Sequence, residues 1–174
     1  MNLKKFIREV PDFPQEGINF KDITTLLKDK DAFSKVVDSI TLNFKDKGIT
    51  KIVSLESRGF IIGGALAHQL NAGFVPIRKA GKLPSETISI SYELEYGTDS
   101  VEIHKDSLSK NDIVLIHDDL LATGGTAWAA LQLVKKFDVQ KVYLSFICDL
   151  AFIKTPIKKA LENYFPHILV KYEY

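Results

Sequence analysis

Residues 113–126, IVLIHDDLLATGGT, constrain this chain more than any other stretch. Ile113, Val114, Leu115 and Ile116 run into His117 and predict a buried strand. Two adjacent carboxylates, Asp118 and Asp119, follow it. After a short apolar link come Thr123-Gly124-Gly125-Thr126, and beyond them Ala127, Leu131 and Val134 are spaced for one face of a helix. Strand, acidic pair, Gly-Thr turn and helix succeed one another as in a parallel α/β sheet.

That order has a chemical consequence. The start of a helix leaves N–H groups unpaired and carries the positive end of the macrodipole, so it attracts a phosphate. Glycine lets the backbone approach the anion with no Cβ in the way, and Thr123 and Thr126 add hydroxyl donors. Carboxylates beside such a cradle would repel a phosphate, so they suit sugar hydroxyls or a metal ion instead. The ligand implied has a phosphate at one end and a diol in the middle, as in a phosphorylated ribose. Gly-Gly alone would be a tight turn, and Asp alone a helix cap. Two carboxylates, two hydroxyls and two glycines within nine residues favour the binding loop. Neither G-x-x-x-x-G-K-[ST] nor G-x-G-x-x-G is present.

DDLLATGGT resembles the phosphoribosyl-diphosphate (PRPP) loop of the type I phosphoribosyltransferases. The form with Leu120, Leu121 and Ala122 is similar to the adenine-using branch, although His117 stands where an aliphatic residue is usual. Four further motifs resemble that family, in its order. PDFPQEGINFKDIT resembles the N-terminal base-pocket segment, with Thr25 in place of the usual proline. ESRGF at 56–60 resembles the diphosphate loop, RKAGKLP at 78–84 a second set of diphosphate contacts, and YELEYG at 92–97 the mobile lid.

Composition sets the outer bounds. A chain of 174 residues suits one domain, and 45% apolar with 26% charged residues is ordinary for a globular protein. A net charge of +1 gives no field directed at nucleic acid or an anionic membrane. Cys148 is the single cysteine, so no internal disulfide is expected and a reducing compartment, the cytoplasm, is. No signal peptide and no stretch of membrane-spanning length is visible.

In chain order, Leu3, Phe6, Ile7 and Val10 predict a short amphipathic helix ending before Pro11, and 11–30 read as an ordered loop. Asp31 is the expected cap of a helix carrying Phe33, Val36, Val37, Ile40 and Phe44, closed by Gly48. Strands are expected at 51–55, 73–77 and 142–148, with a helix after Gly59 in which Gly63 and Gly64 imply close packing. Alternation over 85–103 predicts a β-ribbon with Glu93 and Glu95 on one side. Thr155-Pro156 reads as the N-cap and N1 of a short helix, and 167–172 as a closing strand. His68, His104, His117 and His167 show no metal-ligand spacing.

The expected fold is α/β, a doubly wound parallel sheet forming a single domain over 1–174. A small hood is expected from about 1–30 and 150–174, and a lid from about 85–103. The resemblance implies transfer of the 5-phosphoribosyl group from PRPP to adenine, giving AMP and diphosphate. Ala122, Thr123, Gly124, Gly125 and Thr126 would hold the 5′-phosphate, and Asp118 and Asp119 the ribose hydroxyls. Ser57, Arg58, Arg78, Lys79, Lys82 and Tyr96 would serve PRPP, with Mg²⁺ held by diphosphate and water rather than by the protein. Phe20 would stack on the base, Leu150 would lie on its far side, and the main chain of Asn19 to Lys21 would read its edge, with the Lys21 side chain pointing away. Glu95 would handle the purine proton. The resemblance also implies a cis peptide between Glu56 and Ser57, and a homodimer. Two other classes fit less well. A 6-oxopurine transferase would need an ammonium facing the base, and a PRPP- or purine-sensing regulator would need a DNA-binding segment.

Overall fold

The computed structural model describes residues 1–93 and 98–173. A 3-10 turn, Leu3–Phe6, opens the chain. Leu3 and Ile7 are buried, as the apolar spacing requires, but the expected helix stops there. Arg8–Val10 extend as β1 and pair antiparallel with β2, Phe20–Asp22. Pairing with a distant segment overrides the local period, and the stretch expected as a loop therefore holds β2 and then α1, Thr24–Leu27. The next helix, α2, spans Lys30–Phe44. Its cap is Asp29 rather than Asp31, since Asp29 accepts from the Asp31 and Ala32 amides at 3.1 and 2.9 Å. Val36, Val37, Ile40 and Phe44 form its buried face, each side chain contributing roughly 1.5–3 kcal/mol.

The remaining elements alternate. They are β3 (Lys51–Leu55), α3 (Gly59–Gln69), β4 (Gly73–Lys79), β5 (Thr87–Glu93), β6 (Thr98–His104) and β7 (Ile113–Leu121). Then come α4 (Gly125–Lys135), β8 (Lys141–Leu150), α5 (Pro156–Glu162) and β9 (His167–Tyr172). Seven strands form one sheet in the order β5-β6-β4-β3-β7-β8-β9. β4, β3, β7, β8 and β9 are parallel, and the β5–β6 hairpin joins β4 antiparallel at one edge. β9 belongs to this sheet as its other edge, not to the hood in which the sequence had placed 150–174. Ile52, Leu115 and Ile147 pack with α2 and α3, while Val53, Ile116 and Leu144 pack with α4 and α5. Helices thus cover both faces, as expected of a doubly wound sheet. A Cβ at Gly63 would fall 2.0 Å from the Ser54 Oγ, which is why α3 carries glycine where it meets the sheet.

The chain leaves β3 toward β4 and later returns along β7 on the opposite side of β3. In an open parallel sheet such a switch point leaves a crevice at the carboxyl ends of the strands. Among the described residues no helix is long and apolar enough to cross a membrane.

Candidate active site

The crevice between β3 and β7 collects three separate motifs. β7 runs to Leu121, so Asp118 and Asp119 lie within its last turns of pleat rather than after its end. Successive strand residues face opposite ways, and Asp119 is buried while Asp118 is partly open. The Asp119 amide donates to Asp118 Oδ1 at 2.9 Å. Burial and the neighbouring Asp119 push the Asp118 carboxyl well up. Burial also raises Asp119, against the pull of Arg58. Gly59, the first residue of α3, is packed so close that a Cβ there would meet Asp118 Oδ1 at 2.8 Å.

Arg58 binds these pieces together. Its Nε lies 2.7 Å from Asp119 Oδ2, and its guanidinium carbon sits 4.8 Å from the centre of the Phe20 ring. The residue expected in the diphosphate loop therefore touches both the expected ribose carboxylate and the expected base-stacking aromatic. The Glu56–Ser57 peptide just before Arg58 is cis, as expected. Phe20 also meets Phe13 edge-on at 5.3 Å, and Leu150 lies buried at the carboxyl end of β8. Among the described residues β2 pairs with β1 alone, which leaves its other main-chain edge open. Phe20 and Lys21 face different partners: Lys21 Nζ lies 2.9 Å from Glu9 and 4.5 Å from the Tyr172 ring centre.

The expected phosphate loop takes its shape from Gly124, whose φ of +92° suits glycine, and α4 starts at the next residue. A Cβ on Gly124 would meet Leu161 and Ile157 of α5 at 3.2 and 3.3 Å. Thr155 caps α5, accepting from the Lys158 amide at 3.0 Å, and donates its hydroxyl to the Thr123 carbonyl at 2.7 Å. Thr123 is exposed, Ala122 and Thr126 are half-buried, and the Thr126 hydroxyl meets the Tyr92 hydroxyl of β5 at 3.4 Å.

The other expected cations rest on carboxylates. Glu56 accepts from Lys82 Nζ at 2.6 Å, Arg78 Nη2 at 3.1 Å and the Lys79 amide at 3.0 Å. Burial would raise the Glu56 carboxyl, but these donors hold it down at about 2. Lys79 pairs with Asp99 of β6 at 3.0 Å, and buried Glu102 accepts from the Lys82 and Leu83 amides. The sequence offers no signal for Glu56, Asp99 or Glu102 as anchors, because their partners lie 19–26 residues away in chain. Ser57 is exposed beside the crevice. Glu95 and Tyr96 lie outside the described residues. Among the described residues there is no group of three or more His, Cys, Asp or Glu able to hold a metal.

A family model for the phosphoribosyl transferase domain matches residues 23–164. An adenine phosphoribosyltransferase of Bacteroides fragilis is 60% identical over 148 residues, spanning 85% of this chain and 83% of that one. The crystal structure of adenine phosphoribosyltransferase from Thermoanaerobacter pseudethanolicus superposes with a TM-score of 0.90 at 45% identity, covering 98% of both chains. The APRTase of Giardia lamblia complexed with 9-deazaadenine superposes with a TM-score of 0.92 at 36% identity, covering 99% of this chain and 97% of that one.

Proposed function

The chain belongs to the phosphoribosyl transferase family, and from that premise we propose that it transfers the 5-phosphoribosyl group of PRPP to adenine, forming AMP and diphosphate. The observation that carries this is the convergence of Asp119 and Phe20 on Arg58. The named relatives favour adenine as the base.

PRPP enters with its 5′-phosphate on the N–H groups and hydroxyls of 123–126. Its ribose hydroxyls bind Asp118 and take the place of Arg58 on Asp119. Arg58 is thereby released toward the diphosphate and uncovers the Phe20 ring for adenine. Arg78, Lys79 and Lys82, held ready on Glu56 and Asp99, exchange those carboxylates for diphosphate oxygens. A nitrogen of the adenine imidazole ring then bonds to C1′ while the bond from C1′ to the diphosphate oxygen breaks. Positioning and charge stabilisation account for most of the acceleration. The paired carboxylates face the positive charge that develops on the ribose, and Glu95 takes the proton lost from the purine.

Mg²⁺ fits this site as a companion of the substrate. Asp118 and Asp119, adjacent carboxyls both raised by burial, would gain from a nearby cation. Asp118 and Asp119 would lie beside the substrate-bound ion, which would supply charge neutralisation of the leaving group. The cytoplasm suits the lone, buried Cys148 thiol. Exposed Ile61 on α3, beside the Phe60–Phe74 ring pair, offers an apolar face for a second copy in a homodimer.

The test is AMP formation by the purified protein supplied with adenine, PRPP and Mg²⁺. Asp118→Asn combined with Asp119→Asn should lower turnover by on the order of 10²–10³-fold or more, with the circular dichroism of the folded protein retained. An inactive wild type, or near-normal turnover in the folded double variant, would sink the assignment.

A further inference from the structure

The strand that carries Phe20 is tied down almost side chain by side chain. Glu9 Oε2 accepts from Asn19 Nδ2 at 2.7 Å and from Lys21 Nζ at 2.9 Å, so one carboxylate grips the residues on both sides of Phe20. Glu9 lies directly opposite Lys21 in the β1–β2 ladder. Lys21 is buried, and its ammonium also rests 4.5 Å from the centre of the Tyr172 ring, itself buried on β9. Asp22 is ion-paired with Arg8 and accepts from the Thr24 amide at 2.8 Å. Of residues 19–22, only Phe20 is left to ring contacts alone.

We propose that Glu9 is a positioning residue for base recognition, holding Asn19 and Lys21 so that the main chain around Phe20 meets the base edge in a fixed geometry. This rests on the base site described above. Two stranded pairs are marginal alone, and β1 and β2 form a sheet of only two strands. Side-chain ties therefore decide how firmly the reading edge stands. Lys21 extends the grip to the main sheet, because Tyr172 pairs with Leu150 at the end of β8. A ligand whose orientation depends on main-chain hydrogen bonds loses affinity when those groups wander. The phosphate and ribose sites sit on β3, β7 and α4 and do not depend on Glu9.

The experiment is steady-state kinetics of Glu9→Ala and Glu9→Gln with adenine and PRPP varied separately. Glu9→Ala should raise the adenine KM by about tenfold while kcat and the PRPP KM stay within about twofold of wild type. Glu9→Gln keeps a carbonyl oxygen that accepts from both neighbours, so it should restore most of the lost adenine affinity. An unchanged adenine KM in Glu9→Ala, or a PRPP KM that rises in parallel, overturns the inference. A wild type that does not use adenine at all defeats the functional assignment and this inference with it. An active wild type with an indifferent Glu9→Ala defeats the inference alone.

Discussion

His117 shows how much a single position next to the site can influence. It is fully buried in β7 beside Asp118, and neither ring nitrogen has a hydrogen-bond partner among the described residues. Burial holds its imidazole down at about 3. The unfolded chain takes up a proton as pH falls below about 6.5, and the folded one does not until about 3. Stability from this group is therefore complete above 6.5 and is lost on the way down, by about 2 kcal/mol at pH 5. Thermal melts at pH 7 and pH 5 should show a steeper loss in wild type than in His117→Leu. Identical slopes would contradict the buried neutral imidazole. The aliphatic residue usual in the family at this position has no such dependence.

At the scale of elements, the parts legible in sequence were those with a local cause. Apolar runs gave β3, β7 and β8, the Thr155-Pro156 pair gave the start of α5, and alternation gave the β5–β6 ribbon. β1 reads as helix in sequence because Val10 follows Leu3, Phe6 and Ile7 in helical spacing, while its conformation depends on β2 ten residues later. Asp118 and Asp119 were expected beyond β7 because charge usually ends a buried strand; ladder pairing with β8 carries the strand through them. Site residues grouped in motifs were readable, whereas Glu56, Asp99 and Glu102 act through distant partners that no local pattern marks. Among the described residues the ribbon joins the sheet through β4 by two ladder pairs, Arg78 with Glu102 and Lys79 with Val101. The Lys79–Asp99 ion pair and the Tyr92–Thr126 contact connect it to the cations and the phosphate loop. Binding of PRPP should therefore slow amide exchange in Thr87–Glu93 and Thr98–His104, measured by hydrogen exchange with and without ligand. Equal exchange in both states would argue against closure of this element.

Across the whole molecule, the free protein stores its charges as internal pairs at one crevice. Arg58 lies on Asp119, Arg78 and Lys82 on Glu56, and Lys79 on Asp99. This keeps the site close to neutral until phosphates and hydroxyls replace the protein partners. The proposed base site, at the edge of β2 that pairs with no strand among the described residues, is linked to that exchange through Arg58, which lies against the Phe20 ring. Adenine presents an amino donor at position 6 where hypoxanthine presents a carbonyl acceptor. The one ammonium adjacent to Phe20, that of Lys21, is engaged by Glu9 and Tyr172. A 6-oxo group facing a main-chain carbonyl leaves two acceptors unpaired, at about 1–3 kcal/mol for each buried one. The most direct test is the ratio of kcat/KM for adenine to that for hypoxanthine, with PRPP and Mg²⁺ saturating. A ratio on the order of 10⁴ or more is predicted, and comparable values for the two bases would contradict main-chain recognition of adenine.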